Sequence, residues 1–351
     1  MTIKFIGRSN VRTYTDKDNY RFTPGTGPKW QDSTWLQWWD LEANCGGVHR
    51  IGHEYNTDGG PFAALWNNVI TPKGIYKRVM YQPLRKADKL DKGWGCGDDT
   101  CNNVIENGEH IWNVNDPEHG VSARLVFTDF HDAFCGFPSG GHTEKDISAD
   151  HIDVAGPVTG TITVPGGTFK VKGMGLRDHG WGERNLGTLY SHRYLTASFG
   201  PELAFCANAF HNGVNDRIES FGWVLKGDTV VFATDVDIFV YAEIDSVSTR
   251  GAHITMKLAD GDVFDCELTA VAPGMINGFP YFNERCNNTL CRAEAKGLLG
   301  TGMVETSMNF HYGSRKAERM LRALVKNGFY PGTMDEMRQR DDNPFVIKRT
   351  I

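Results

Sequence analysis

Pro157-Val158-Thr159-Gly160-Thr161-Ile162-Thr163-Val164-Pro165-Gly166-Gly167-Thr168-Phe169-Lys170-Val171-Lys172 is a β-hairpin written out in sequence. Two runs with a side-chain period of two flank the turn signal Pro165-Gly166-Gly167. The same rhythm extends in both directions. Upstream, Trp35 to Glu42, Gly47 to Tyr55, Phe62 to Ile70 and Ile75 to Pro83 read as four consecutive strands. A glycine- and acid-rich excursion from Lys89 to Asn107 follows, then strands over Glu109 to Val114 and Ser122 to Phe130. Downstream, hairpins are expected with Lys226-Gly227-Asp228 and Ala259-Asp260-Gly261-Asp262 at their tips. The second half should hold about eight to ten strands, ending near His311.

Helical spacing is confined to one place near the C-terminus. Ser314 can cap a helix whose Ala317, Met320, Leu321 and Leu324 share a face, with Gly328 as its stop. Short connections, and no helices alternating with strands, predict an all-β antiparallel meander. The expected architecture is two β-barrel-like halves packed together, over residues 1–155 and 156–313, followed by a helix and tail over 314–351.

Composition agrees with that reading and removes several function classes. The 351 residues contain 40 glycines and nine tryptophans, and only 23% are charged, a mixture suited to a turn-rich β protein. The formal net charge of −6, with acidic residues dispersed, offers no Lys/Arg stripe for nucleic acid. No apolar run approaches the roughly 18 residues of a membrane-spanning helix. The start, MTIKFIGRSNVRTYTDKDNY, is too polar for a signal peptide, so a soluble cytoplasmic protein is expected. Cys45, Cys135, Cys206 and Cys266 read as small hydrophobes. Cys96/Cys101 and Cys286/Cys291 form two similarly spaced pairs. Reduced, uncoordinated thiols are the default for them, with bridged or metal-bound states as alternatives.

The chemistry is concentrated in Gly173-Met174-Gly175-Leu176-Arg177-Asp178-His179-Gly180-Trp181-Gly182-Glu183-Arg184-Asn185. Strict alternation puts Phe169, Val171, Arg177, His179 and Trp181 on one face, and Lys170, Lys172, Leu176 and Asp178 on the other. A bulge at Gly173 or Gly175 would exchange the faces, so the choice between Asp178 and His179 as the inward residue stays open. A polar network in which Arg177, Asp178 and Arg184 tie strands together is the competing structural reading.

This segment resembles the signature of carotenoid 1,2-hydratase and related lipocalin-like double-barrel proteins, an aspartate-histidine pair followed by tryptophan-glycine, here Asp178, His179, Trp181 and Gly182. It also resembles a group of bacterial proteins with an Arg-Asp-His-x-Trp-Gly core. There an early Trp/Asp strand enters a Gly-Gly-x-x-Arg-x-Gly turn, here Trp38, Trp39, Asp40, then Gly46, Gly47, Arg50, Gly52. The resemblance implies lipocalin/calycin-like barrels. Its relatives are hydratases or fungal cyclases that perform pericyclic ring closures.

No His-x-His, HExxH, Walker loop, GxGxxG or Gly-x-Ser-x-Gly pattern is present, so neither metal nor cofactor is expected. What remains is acid–base chemistry in an apolar cavity. The resemblance assigns Asp178 as the acid, because a desolvated carboxyl can keep its proton near neutral pH. His179 would orient it or position water. Arg177, if close, would instead hold Asp178 ionised as a base. Trp181, Trp39 and Tyr190 are candidates for a cation-stabilising wall. Arg184, His192 and Asp40 complete the candidate substrate-binding set. His192 and His211 also suit core positions, and Asp40 suits a strand-turn cap or a pair with Arg50. Arg50 and His53 are not expected to act together.

The expected activity is that of a cofactor-free hydratase/dehydratase lyase, or an isomerase, on a hydrophobic terpenoid or aromatic molecule. A calycin-type carrier and a pericyclase-like template are the alternatives. The expected partner is a small hydrophobic substrate, with no nucleic acid and no membrane span. Self-association as a homodimer stays open.

Overall fold

The computed structural model describes residues 3–97, 100–139, 147–148, 150–243, 247–279, 284–312 and 327–333. Most of them are in strands. The first sheet is built from β2 (Trp30–Asp40), β3 (Cys45–Thr57), β4 (Gly60–Thr71), β5 (Gly74–Pro83), β6 (Gly93–Cys96), β7 (Cys101–Glu106), β8 (Glu109–Asp116), β9 (Val121–Phe127), β10 (Asp150–Val164) and β11 (Gly167–Glu183), with β21 (Gly328–Pro331) beside β5. Its order is β21-β5-β4-β3-β2-β11-β10-β9-β8-β7-β6, and it curls until β6 touches β3 and β4. The second sheet comprises β12 (Leu189–Ser198), β13 (Leu203–Asn212), β14 (Ile218–Lys226), β15 (Thr229–Ala242), β16 (Thr249–Leu258), β17 (Val263–Ala270), β19 (Glu284–Ala295) and β20 (Leu298–Asn309). Pairing of β15 with β16 closes these eight into a barrel. The short strands β1 (Lys4–Ile6, parallel to β15) and β18 (Met275–Phe279) add to it. These are the two packed antiparallel β-barrel-like halves expected from the alternation, in the lipocalin-like double-barrel form that the resemblance implies.

The hairpin forms as expected, with Val164 opposite Gly167. Pro165 and Gly166 (φ 92°) take the central positions of a type II turn, which needs a positive φ at the second. Both arms run much further than the clear alternation, because β10 and β11 are central strands with both faces covered. Residue 155 therefore lies inside β10, and the passage between sheets falls between Glu183 and Leu189. The Lys89–Asn107 excursion contains β6 and β7, where Gly93 and Gly95 interrupt the side-chain rhythm. The helix expected after Ser314 lies outside the described residues, and Gly328, its expected stop, begins β21.

Among the described residues the buried apolar side chains form three large cores and a small cluster of Ala133, Ile152 and Val154. Leu36, Trp38, Trp94 and Trp112 fill the curled sheet; Leu195, Phe205, Ile254 and Phe264 fill the closed barrel. Between the sheets, Trp35, Trp39 and Trp66 meet Tyr194, Phe210 and Trp223. All eight cysteines are buried free thiols. Cys96 and Cys101 sit in the curled-sheet core, Cys286 between the sheets and Cys291 inside the barrel, so the two pairs do not converge.

Candidate active site between the sheets

Register places the site. Strand β11 pairs with β2 without a break from Met174–Trp39 to Glu183–Trp30, so no bulge intervenes at Gly175. Glycine is needed there because a Cβ would collide with the Gln37 carbonyl. Alternation then carries through the motif: Leu176 joins the inter-sheet core and Asp178, on the same face, enters a cavity between the sheets. Directly opposite residues continue that face across five strands, as Asp153, Asp178, Trp35, Arg50 and Trp66. The barrel supplies the facing wall through His192, Tyr194, Phe210, Glu284 and Glu305. The cavity encloses about 80 Å³.

Asp178 is the centre of the first wall. His151 Nε2 lies 3.6 Å from its Oδ2, and His151 Nδ1 lies 3.3 Å from Asp153 Oδ2. Tyr194 donates its hydroxyl to Asp153 Oδ1 at 2.8 Å, which links the two sheets. Phe137 stacks on His151 at 4.2 Å. Burial resists charge on this imidazole, but Asp153 and Asp178 outweigh it and raise its pKa to about 10. His151 is thus an imidazolium at neutral pH. Arg50 and Arg184 also line the cavity and act electrostatically on Asp178. Arg50 lies over the Trp66 ring at 5.2 Å and reaches Gln31 Oε1 at 3.3 Å. Burial and the proximity of Arg50 bring Arg184 down to about 10, against the pull of Asp178 and Glu54. Burial raises Glu54 to about 6 despite Arg50 and Arg184.

On the barrel wall, His192 is held between two carboxylates, with Nδ1 3.0 Å from Glu284 Oε1 and Nε2 2.6 Å from Glu305 Oε1. Burial opposes its charge, and Glu284 and Glu305 raise it to about 9. Asn288 donates to the second oxygen of Glu305. Donor atoms of His192, Glu284 and Cys286 lie within 4.8 Å of one another, a spacing that a metal ion could span.

Of the expected site residues, Asp178, Arg184 and His192 meet in this cavity. Arg177, His179 and Trp181 are on the opposite face of β11. Arg177 forms a two-pronged pair with Asp129 at 2.7 and 2.5 Å and a bond to Asn19 at 3.0 Å. It therefore does not clamp Asp178. His179 Nε2 is 2.9 Å from Asp32 Oδ1, which also accepts from Trp94 Nε1 at 3.2 Å. Trp181 stacks on Phe22 at 4.3 Å. Tyr190 packs on His211 and Tyr312, away from the cavity. Trp39 is buried in the inter-sheet core. Asp40 caps a turn: Oδ1 accepts the amides of Glu42 and Ala43, and Oδ2 that of Lys172. His53 Nε2 donates to the Gly95 carbonyl at 3.0 Å inside the curled sheet, apart from Arg50.

The residues not anticipated are His151, Asp153, Tyr194, Glu284, Glu305, Trp35 and Trp66, together with a cavity role for Arg50. Of these, only Arg50 lies in a motif, the Gly-Gly-x-x-Arg-x-Gly run from Gly46 to Gly52. For the rest, only the alternation of β10 around His151 and Asp153 carried a signal, and it does not say which strands lie opposite. The cavity is also more polar than expected. Charged groups of both signs share it with Trp35, Trp66, Phe137 and Phe210, so it can transfer protons and hold oxygen atoms of a partly apolar molecule.

Solved structures sharing this architecture include the protein described as AttH from Nitrosomonas europaea, with TM-score 0.59 and 11% identity over 84% of this chain and 94% of that one. CghA, solved with Sch210972, gives 0.56 and 9% over 83% and 94%. Kievitone hydratase from Nectria haematococca gives 0.56 and 11% over 88% and 96%. At such identities the likeness is one of fold. No curated protein matches the sequence. Sequence kinship is found with the family described as Domain of unknown function (DUF7064), whose model matches residues 15–310 and so takes in both walls of the cavity; the chain belongs to that family.

Proposed function

We propose that the protein is an acid–base lyase of the hydratase/dehydratase type, or an isomerase, acting on an oxygenated terpenoid or aromatic molecule. The observation that carries this reading is Asp178 facing the charged His151 in a cavity walled by Trp35, Trp66 and two arginines. Adding or removing water requires one proton given and another taken. Asp178 exchanges a proton with substrate carbon or oxygen, and His151, tethered by Asp153, exchanges one with Asp178. Arg50 and Arg184 hold substrate oxygen, while the aromatic walls shelter a developing cation. The cavity has room for the reacting end of such a molecule. That kievitone hydratase has the same fold, and that CghA was solved with a small molecule, supports small-molecule chemistry here.

The test is incubation in D₂O with oxygenated terpenoid and aromatic alkenes and alcohols chosen by thermal shift. Solvent deuterium should enter the product or recovered substrate, and Asp178→Asn should abolish its entry. Ligands that bind and return unlabelled and unchanged would make the protein a carrier. A cyclised product without deuterium would make it a folding template for ring closure.

A further inference from the structure

We infer that His192, Glu284 and Cys286 form a binding site for one divalent transition metal ion, with zinc the best match to the donor set. The site stands on donor geometry and does not depend on the acid–base reading of Asp178. The three residues converge through barrel register. Cys286 on β19 is directly opposite Ser307 on β20, whose Oγ lies 2.8 Å from His192 Nδ1 on β12. Glu284 precedes Cys286 by two residues and thus shares its face. The nitrogen, oxygen and sulfur donors all lie within 4.8 Å of one another, so small side-chain movements suffice for coordination at about 2.0–2.3 Å.

Two further observations point to a ligand. Glu284 is fully buried, and its Oε2 has no hydrogen-bond partner among the described residues. A carboxylate oxygen left unpaired in the interior is costly unless something cationic fills the space. In addition, His192 Nε2 meets Glu305 Oε1 at 2.6 Å, while Asn288 fixes that carboxylate from its other oxygen. A metal-bound histidine commonly donates its second ring N–H to a carboxylate in this way, which fixes the ring and raises its basicity. Ion binding exchanges the Nδ1 and thiol protons, released to solvent, for coordinate bonds. The thiolate and Glu284 carboxylate then neutralise a dication. His192 and Glu284 both border the cavity, so the fourth position is open to water or to a substrate oxygen.

The experiment uses the full chain, stripped with chelator and titrated separately with Zn²⁺ and Co²⁺. One equivalent should bind and raise the melting temperature, and the cobalt adduct should show thiolate-to-metal charge-transfer absorption. Cys286→Ser should remove that absorption and weaken zinc binding at least ~10-fold. Glu305→Gln should retain the absorption and weaken binding ~10–100-fold, as loss of an orienting carboxylate does. Cys291→Ser, inside the barrel, should leave both unchanged. Absence of a saturable single site, or wild-type binding by Cys286→Ser, overturns the inference. If Cys286→Ser does not fold, His192→Gln takes its place, and wild-type zinc binding by that variant overturns the inference equally.

Discussion

On the inner face of β11, Arg177 and His179 are enclosed by the curled sheet with Asp129 and Asp32 as partners. On its outer face, one residue between them in sequence, Asp178 stands in the inter-sheet cavity with His151, Arg50 and Arg184 around it. The two clusters contain the same side-chain types. They differ in what each charge can still meet. Inside the curled sheet, Arg177 and His179 are each about 1% exposed, and the protein itself supplies their carboxylate partners. In the cavity, two sheets bring cations and carboxylates to a space that a small molecule can enter. We read the first cluster as holding the fold and propose the second as the reacting one.

Exchanging one residue on each face gives the largest expected contrast. Asp178→Asn should lower the turnover of the folded fraction by about 10²–10⁴, the usual contribution of an acid–base group, with a smaller loss of melting temperature than His179→Ala because His151 keeps Asp153 as a partner. His179→Ala should do the reverse, lowering stability while the folded fraction keeps its turnover. Melting and turnover measured on the same preparations decide this. A well-folded, inactive His179→Ala beside an active Asp178→Asn would invert the assignment of the faces.

The second contrast concerns the ion pair. Asp129→Ala leaves the Arg177 guanidinium buried without its carboxylate, which should cost about 3–5 kcal/mol in denaturant unfolding. Specific activity should be unchanged. A loss under about 1 kcal/mol would mean that water reaches Arg177, as at surface pairs.

Acidity offers a third way to sharpen the division. The folded His151 titrates at about 10, above an ordinary histidine at about 6.5. A raised folded pKa adds stability that is fully present below about pH 6.5 and disappears as pH rises through about 10. The groups facing His151 are Asp153, Asp178 and, across Gly180, Arg184. Wild-type stability should therefore fall across that alkaline window. His151→Gln should flatten the fall, whereas His179→Gln should not. Equal slopes in wild type and His151→Gln would show that the Asp153–His151–Asp178 link does not stabilise the fold.

How much of this is legible in the sequence follows from where the physical signal resides. Period two in one segment reveals strands and their two faces, so most first-half strands (β6 and β7 excepted), the hairpins and the opposition of Asp178 to Arg177 and His179 can be read. Strand β2 is readable only in part: every residue from Trp30 to Asp40 is buried, so no polar face marks its length. The cavity is not readable, because it depends on β11 lying between β2 and β10 and on β12, β19 and β20 packing opposite. Those placements set Asp178 beside Trp35 and Glu305 beside Tyr194 across more than a hundred residues of chain. The Arg-Asp-His-x-Trp-Gly run looks like one site in sequence because neighbouring letters are adjacent. In a strand, adjacent side chains point apart.

Asp40 gives the smallest expected effect and tests whether burial near the cavity is enough to make a residue functional. From sequence alone its place after Trp38 and Trp39 suits a substrate-binding carboxylate, and in the structure it is buried. Its oxygens, however, are engaged by three backbone amides, those of Glu42 and Ala43 at 2.9 Å and Lys172 at 2.7 Å. Two of these bonds close the turn into β3, and the third ties that turn to β11. This is the same interaction as a helix N-cap, a side-chain oxygen on otherwise unpaired N–H groups, whose removal costs about 0.5–2 kcal/mol. Asp40→Ala should show that loss in denaturant melts. Asp40→Asn, which retains one carbonyl oxygen for the turn, should lose less, and neither should alter deuterium exchange by the folded protein. Lys172→Ala, which keeps the backbone amide that Asp40 accepts, should stay within about 0.5 kcal/mol of wild type. Loss of exchange in a fully folded Asp40→Asn would extend the reactive region beyond the cavity, past the Trp39 core to the strand turn.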